Sequence, residues 1–135
     1  MSFIARVLVI GSSLVVSTSA LASTAVDELL ASYRQQGASG FSAAAGKSFW
    51  NQSVSRNGID RTRSCATCHT SDVHQYGKHA ITGNEIEPLA HSVMSKRLTN
   101  PRKIRKWLRR NCEWVRGREC TPQEKGDILT YLREQ

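Results

Sequence analysis

The segment 65–70 reads Cys-Ala-Thr-Cys-His-Thr, and its thiols and imidazole have the most specific chemical spacing in the chain. Two cysteines separated by two residues can add across two vinyl groups, and an imidazole beside the second can bind iron from one side. This pattern is typical of covalent attachment of a c-type haem. We therefore predict that Cys65 and Cys68 attach one haem c and that His69 is its proximal iron ligand.

Two further cysteines, Cys112 and Cys120, lie near the C-terminus. If haem takes the first pair, the second pair can form a disulfide that closes a short loop, provided that the compartment is oxidising. A zinc site would use all four thiols, but 43 residues lie between Cys68 and Cys112, which is poor zinc-finger spacing. A thioredoxin-like motif would need a βαβ context, and the sequence predicts no strands.

The residue on the other side of the iron decides whether the protein only carries electrons or also binds a small molecule. Met94 is the usual type of partner for a haem-bound histidine, and it lies 25 residues after His69 in a polar segment. His74, His79 and His91 are further candidates, although solvated histidines are more frequent than ligands. The residues alone leave this choice open.

Asn111 is another candidate, because it falls on the apolar stripe of a predicted helix that begins at Pro101. Ile104, Trp107 and Leu108 precede it on the same face. A carboxamide at the end of an apolar face is costly to bury unless something binds it. Asn111 could cap the helix C-terminus, hydrogen-bond a nearby carbonyl, or bind the iron through its side-chain oxygen.

The remaining patterns predict a small all-α domain. A first helix, with Asp27 and Glu28 in its first turn, ends before Gly37, and a second runs over 42–54. The segment after His69 should be a loop wrapped around the cofactor. A last helix begins at the capping box 121–124. The residues predicted to lie on the buried faces of these helices are Val26, Leu29, Leu30, Tyr33, Gly46, Phe49, Trp50, Ile128, Leu129 and Leu132.

Residues 1–22 have the organisation of a secretory signal peptide. Arg6 gives a positive start, residues 7–16 are mostly apolar, and Ala20-Leu21-Ala22 is a small-x-small cleavage site. The apolar run is shorter than the ~20 residues that a membrane-spanning helix needs, although a retained N-terminal anchor is an alternative. We predict that the signal is removed after Ala22, leaving one domain at 23–135 and no membrane span.

The predicted mature chain is strongly basic, with 18 basic and 11 acidic residues and a formal net charge of +7. Eight basic residues and no acidic residue lie between Ser95 and Arg110. Nucleic acid is an unsuitable partner for an exported haem protein. We therefore expect either a solvated helix face or an electropositive surface that steers an acidic redox partner.

Besides the haem motif, the segments GKHAITGNEIEPLA, SKRLTN and RRNCEWVRGRECTPQEKGDILTYL resemble the SHP family of monohaem c-type cytochromes, which is related to cytochrome c double-prime. The resemblance runs from about Ser42 to Leu132. Its specific parts are CxxCH, a Thr-Gly-x-x-Ile-x-Pro-Leu segment, and a ligand-Cys-x7-Cys unit. It implies a small class I-like cytochrome c fold with helices wrapped around one covalent haem.

The same resemblance implies roles for three residues of the last unit. In the SHP branch an Asn stands before its first Cys, binds iron and leaves on reduction; here Asn111 holds that place. Cys112 and Cys120 are then expected to form the disulfide beside it. Met94 falls where the family needs no ligand.

The expected location is the periplasm of a Gram-negative bacterium, and the expected redox partner is a dihaem c-type cytochrome. Two function classes follow. One is an electron-transfer protein in which departure of Asn111 opens the iron to O2 or NO. The other is a ligand-binding or oxygen-reducing haem protein that accepts electrons from the dihaem partner. An ordinary His/Met electron carrier would follow instead if Met94 bound the iron.

Overall fold

A computed structural model describes residues 20–56 and 58–135. Five helices and four short strands are numbered here in chain order. The helices are α1 (Ala20–Gln35), α2 (Ala43–Asn51), α3 (Ala66–His69), α4 (Pro101–Arg116) and α5 (Pro122–Arg133). The strands are β1 (Val54–Arg56), β2 (Ile59–Arg63), β3 (Gly77–Lys78) and β4 (Glu85–Ile86). The architecture of this part of the chain is mostly helical, as predicted.

Helix α1 buries the predicted apolar face, which consists of Val26, Leu29, Leu30 and Tyr33. Leu129 of α5 completes this cluster, so the first and last helices share one core. The prediction that Asp27 and Glu28 lie in the first turn of this helix is wrong, because the helix already begins at Ala20. The predicted signal peptide lies, up to residue 19, outside the described residues, and its removal stays a prediction. No described helix is both long and apolar enough to cross a bilayer.

Helix α2 begins after Ser42, whose hydroxyl accepts a hydrogen bond from a backbone N–H of the first turn (3.2 Å). It ends at Asn51, before the predicted end, because the chain enters strand β1 at Val54. Gly46 and Trp50 are buried, as predicted. Serine at this position satisfies a backbone donor that the helix itself leaves unpaired.

The two C-terminal helices begin where their capping patterns predict. The Asn100 side chain accepts a hydrogen bond from the Lys103 N–H (3.0 Å), and Pro101 is the first residue of α4. The Thr121 hydroxyl accepts from the Glu124 N–H (3.2 Å), and the Glu124 carboxylate accepts from the Thr121 N–H (2.7 Å). This is a complete capping box. The predicted inner face of α5 is buried: Ile128, Leu129 and Leu132.

The prediction of no strands is wrong at two places. Strands β1 and β2 pair antiparallel across a turn in which Gly58 has φ +77°. Strands β3 and β4 pair antiparallel in the segment after α3. Strands of two to five residues are too short to show a clear period-two pattern, which explains the error. Both pairs are hairpins, so the described residues contain no βαβ unit of the thioredoxin type.

Helices α2 and α5 touch at the level of their backbones. A Cβ atom at Gly46 would lie 2.0 Å from the Asp127 carbonyl oxygen, so only glycine allows this approach. The Asp127 carboxylate also accepts a hydrogen bond from the Ser42 N–H (2.8 Å). The rings of Trp50 and Tyr131 lie 6.2 Å apart within the same contact. The crossing thereby sets where Trp50 stands.

We predict that Gly46→Ala lowers the free energy of unfolding by an amount at the upper end of the ~1–3 kcal/mol typical of overpacking, because the new methyl group meets a backbone carbonyl that cannot rotate away. Chemical denaturation monitored by circular dichroism measures the change. Lys47→Ala, at the adjacent exposed position, is the control and should change stability by less than about 0.5 kcal/mol. Equal stability of wild type and Gly46→Ala would show that the helices separate without cost.

Candidate haem-binding site

The predicted attachment motif forms α3, a single helical turn that follows strand β2. The Cys65 carbonyl oxygen accepts hydrogen bonds from the N–H groups of Cys68 (3.3 Å) and His69 (3.1 Å). The Ser64 N–H donates to the Thr67 hydroxyl (2.9 Å), which closes the start of the turn. This compact turn brings both cysteines and the histidine to the wall of one pocket.

Strand β3 lies directly behind this turn. A Cβ atom at Gly77 would lie 2.0 Å from the Cys68 carbonyl oxygen and 3.0 Å from the His69 Cα atom. Any larger residue would push the strand away from the turn. Part of the segment predicted to be loop therefore supports the attachment motif as a short strand.

His69 is held as a neutral imidazole. Burial, the larger cause, and the positive charge of Arg97 together lower its pKa to about 4. The ring of Trp50 lies 5.6 Å from the imidazole, and the Trp50 Nε1–H donates to the Thr70 carbonyl (2.9 Å). The His69 Nδ1 atom is buried without a hydrogen-bond partner among the described residues. A neutral imidazole has the free lone pair that a metal ion requires.

Arg97 fixes the loop on the histidine side of the site. Its Nε–H donates to the Pro88 carbonyl (2.8 Å), and an Nη2–H donates to the Glu87 carbonyl (2.9 Å). The Leu89 N–H in turn donates to the Val73 carbonyl (2.9 Å). The guanidinium thus orders backbone that has no regular secondary structure of its own.

Asn111 lies on α4 and lines the same pocket as His69. The helix continues to Arg116 and is capped by Gly117 (φ +71°), so Asn111 does not cap the helix C-terminus, one of the roles considered for it. No hydrogen bond of its carboxamide is found within residues 20–56 and 58–135. Leu108 lines the pocket one turn before it, as the predicted stripe requires, but Trp107, predicted on the same stripe, is exposed and does not line the pocket. The Asn111 carboxamide is therefore available to bind a group inside the pocket.

A disulfide joins Cys112 to Cys120, with Cα atoms 5.5 Å apart. It links α4, directly after Asn111, to the residue before the Thr121 cap of α5. The zinc alternative is wrong, because these two thiols bond to each other. Among the described residues there is also no group of three or more His, Cys, Asp or Glu side chains that could hold a metal ion.

Arg116 closes the pocket beside Cys65. Its guanidinium lies 4.0 Å from the centre of the Phe49 ring, donates to the Phe49 carbonyl (3.0 Å) and donates to the Gln52 side chain (3.1 Å). Burial raises the pKa of the Cys65 thiol to about 11, and the nearby Arg116 charge opposes this shift only in part. Before haem is attached, Cys65 would therefore be a neutral thiol at neutral pH. Arg116 thereby connects the end of α4 to the end of α2, next to Cys65.

The pocket encloses about 490 Å³, part of it open to solvent, between α2, α3, α4 and α5. Most of its wall is apolar, with Trp50 from α2 and Ile128 from α5. Two unbonded thiols and a neutral imidazole stand on one short turn, and a carboxamide stands on a separate helix. These residues fit a covalently attached haem: the two thiols would form its attachments, and the imidazole would bind its iron. The carboxamide would offer the pocket one further oxygen donor.

The other candidate iron ligands do not line this pocket. His74 contacts the Asp72 carboxylate through Nδ1 (2.9 Å). His79 contacts Thr82 through Nδ1, and His91 contacts the Arg97 carbonyl through Nδ1 (3.1 Å). Met94 lies half-buried in a turn of the segment 91–98. Each of the three histidines therefore has a local partner for its ring.

Several pocket residues were missed by the sequence analysis. Val115 and Trp114 extend the stripe of Leu108 and Asn111 by one turn, and helical periodicity alone could have found them. Arg116 and Ser64 carry no sequence signal for this role, because tertiary contacts bring them to the pocket.

Comparison with known proteins identifies similar chains. Residues 36–132 match the family described as Domain of unknown function (DUF1924). The chain is 40% identical over 112 residues to the cytochrome c-type protein SHP of Cereibacter sphaeroides, which covers 83% of this chain and 85% of that protein. It is 36% identical over 87 residues to cytochrome c'' of Methylophilus methylotrophus, which covers 64% of this chain and 60% of that protein.

Two solved structures have the same fold. The oxidised form of SHP, an oxygen-binding cytochrome c, gives a TM-score of 0.73 at 39% identity and covers 82% of this chain and 96% of its own. Oxidised cytochrome c'' of M. methylotrophus gives a TM-score of 0.70 at 31% identity and covers 81% of this chain and 93% of its own. The predicted resemblance and the class I-like cytochrome c fold are confirmed.

The double substitution Cys65→Ser and Cys68→Ser should yield protein without covalent haem, because no thioether can form. Each single substitution should leave at most one thioether. Mass spectrometry of the denatured chain measures the attached haem. Cys112→Ser with Cys120→Ser is the control and should keep the haem mass, and a normal haem mass in the first double variant would exclude these cysteines as attachment points.

Thiol titration of the denatured, unreduced holoprotein should find no free cysteine, and reduction should release two. Replacing Cys112 and Cys120 together should lower the free energy of unfolding by roughly 2.5 kcal/mol, the chain-entropy value for so short a loop. Two reactive thiols before reduction would contradict the disulfide.

Proposed function

The chain belongs to the family of monohaem c-type cytochromes that includes SHP and cytochrome c'', with one covalent haem c, and from this premise we propose that it is a periplasmic electron-transfer protein whose distal ligand, Asn111, leaves on reduction. Cys65 and Cys68 form the thioethers, and His69 is the proximal ligand. When bound, the haem would supply an iron that gains and loses one electron and that could bind a diatomic gas.

One observation carries this proposal: Asn111 shares a pocket with His69, and its carboxamide has no other partner within the described residues. Met94, the usual type of second ligand, is not in that pocket. Asn111 is partly exposed, and a bound haem would exclude water from the pocket and leave the carboxamide without a partner unless it binds the iron. Binding to the iron is therefore the role that best explains the position of Asn111.

Asn111 offers a hard, neutral oxygen. Such a donor favours ferric over the softer ferrous iron, so Asn111 would bind in the oxidised state and would dissociate after reduction. A methionine or a second histidine is a softer donor than a carboxamide oxygen and would hold ferrous iron more tightly. In the reduced protein O2 or NO can then reach the position that Asn111 has left.

The return of Asn111 depends on its backbone staying in place. Helix α4 continues past it to Arg116, and the Cys112–Cys120 disulfide restrains the next residue. Release is thus a rotation of the side chain and not a movement of the helix. This arrangement lets the ligand leave and return with each redox cycle.

A dihaem c-type cytochrome is the proposed electron donor, since the strongly basic chain suits an acidic partner. The location proposed is the periplasm of a Gram-negative bacterium, where the oxidising environment permits the Cys112–Cys120 disulfide.

A second candidate function is gas binding or oxygen reduction, with this protein as the terminal acceptor of the donor's electrons. The similarity to SHP, an oxygen-binding cytochrome c, favours it. Oxygen uptake in the presence of excess reductant tests this function, and no uptake at all would favour electron transfer alone. Sustained uptake indicates oxygen reduction, whereas uptake that stops at one equivalent indicates binding alone.

Asn111→Ala should open the ferric site, so that its affinity for added azide rises at least tenfold, equivalent to about 1.4 kcal/mol. The rate of CO binding to the ferrous protein should change little, because the side chain has already left. Asn111→His should shift the ferric absorption spectrum towards low spin, because imidazole is the stronger-field donor.

Met94→Ala is the matched control and should change neither spectrum nor azide affinity. The proposal is falsified if Met94→Ala, and not Asn111→Ala, opens the ferric site. The protein would then be an ordinary His/Met electron carrier.

A further inference from the structure

The outer face of α4 carries an exposed tryptophan among cations. Lys103, Lys106, Trp107 and Arg110 are spaced i, i+3, i+4 and i+7 and so share one side of the helix. We name these four residues the Trp107 surface. The Trp107 side chain is 46% exposed although it is large and apolar. An exposed indole surrounded by positive charge is a frequent feature of interaction sites.

The cations of this surface are not used in ion pairs. Lys106 and Arg110 lie over the Trp107 ring, with their charged groups 5.7 and 5.3 Å from its centre. Within residues 20–56 and 58–135, neither they nor Lys103 pair with a carboxylate. Arg105, on another side of the same helix, does pair with Glu28 (2.8 Å). The positive charge of the Trp107 surface is therefore free to act on a partner.

The Trp107 surface lies close to the haem pocket along the helix. Trp107 is four residues before Asn111 and thus one turn away. Trp114 is seven residues after Trp107. Trp114 lines the pocket. Seven residues correspond to roughly 10 Å of helix axis. A protein bound at Trp107 would consequently stand within a short distance of the haem site.

We propose that the Trp107 surface is the docking site for an acidic electron-donor protein that places carboxylates around an apolar contact. This inference rests on the proposed electron-transfer function and adds the surface through which it operates. Carboxylates of the donor pair with Lys103, Lys106 and Arg110 and speed the encounter. Trp107 supplies the apolar centre that holds the complex together.

A protein partner fits this surface better than a membrane does. A helix that binds a bilayer surface presents an apolar face to it. The apolar face of α4 is turned inward, as Leu108 and Val115 line the pocket, and Trp107 is the one apolar residue at the exposed positions of the helix. A lone indole ringed by cations matches a small apolar contact with an acidic rim.

The test measures reduction of the holoprotein by two reagents. Reduced flavodoxin, a small acidic redox protein, is the docking probe, and photoreduced riboflavin, which is neutral, reports the intrinsic reactivity of the haem. Lys106→Glu with Arg110→Glu should lower the second-order rate with flavodoxin about tenfold or more at low ionic strength and abolish its decrease with salt. The rate with riboflavin should stay the same.

Lys47→Glu with Lys78→Glu is the matched control, since it changes the net charge equally at exposed positions away from α4. It should reduce the flavodoxin rate by less than about threefold. Trp107→Ala keeps the charge and should weaken binding of oxidised flavodoxin, followed by NMR line broadening, by about fivefold or more. That binding measurement needs no electron transfer.

Equal flavodoxin rates in the Lys106/Arg110 variant and the Lys47/Lys78 control would overturn the docking surface. So would binding to vesicles of phosphatidylglycerol and phosphatidylcholine that Trp107→Ala removes while flavodoxin binding is unchanged, because the surface would then serve a membrane. Failure of riboflavin to reduce the wild-type protein would instead refute the proposed electron-transfer function, and the NMR measurement would still decide the docking site.

Discussion

The backbone contact between α2 and α5 at Gly46 and Asp127 is the interaction on which the rest of the site depends. It places Trp50 so that the indole reaches the Thr70 carbonyl and stands beside His69. It also brings Ile128 to the pocket wall. The attachment turn is therefore positioned by two helices that lie far from it in sequence. A side chain at position 46 would separate them and loosen the turn.

The same helix pair is also linked to α4, which forms the opposite wall of the pocket. Because α5 follows Cys120 almost directly, the disulfide ties α4 to the start of the helix that packs on α2. Arg116 makes a second link, from the end of α4 to the end of α2. Both links connect the α4 wall of the pocket to the α2–α5 contact, which suits the proposed release and return of Asn111.

Helix α4 has two faces with different tasks. Its inner face provides Leu108, Asn111 and Val115 to the pocket, and its outer face presents the Trp107 surface. Since one rigid element bears both, a partner bound outside is held at a constant distance from the haem site. The strong separation of apolar and basic residues along this helix is the sequence feature that makes both tasks possible.

The sequence by itself determined the chemistry of attachment, because thiols two residues apart followed by histidine specify it through local covalent spacing. Helix starts at Pro101 and Thr121 were also predictable, since caps depend only on adjacent residues. The residues alone left Asn111, Met94 and three histidines as open alternatives. Only the resemblance to a family, and then the tertiary structure, separated them. Which of the five side chains shares a pocket with His69 depends on contacts between distant segments, such as the backbone contact between Gly46 and Asp127. The short strands escaped prediction because two to five residues carry too little periodicity, and their pairing is set by the turn and helices against which they pack.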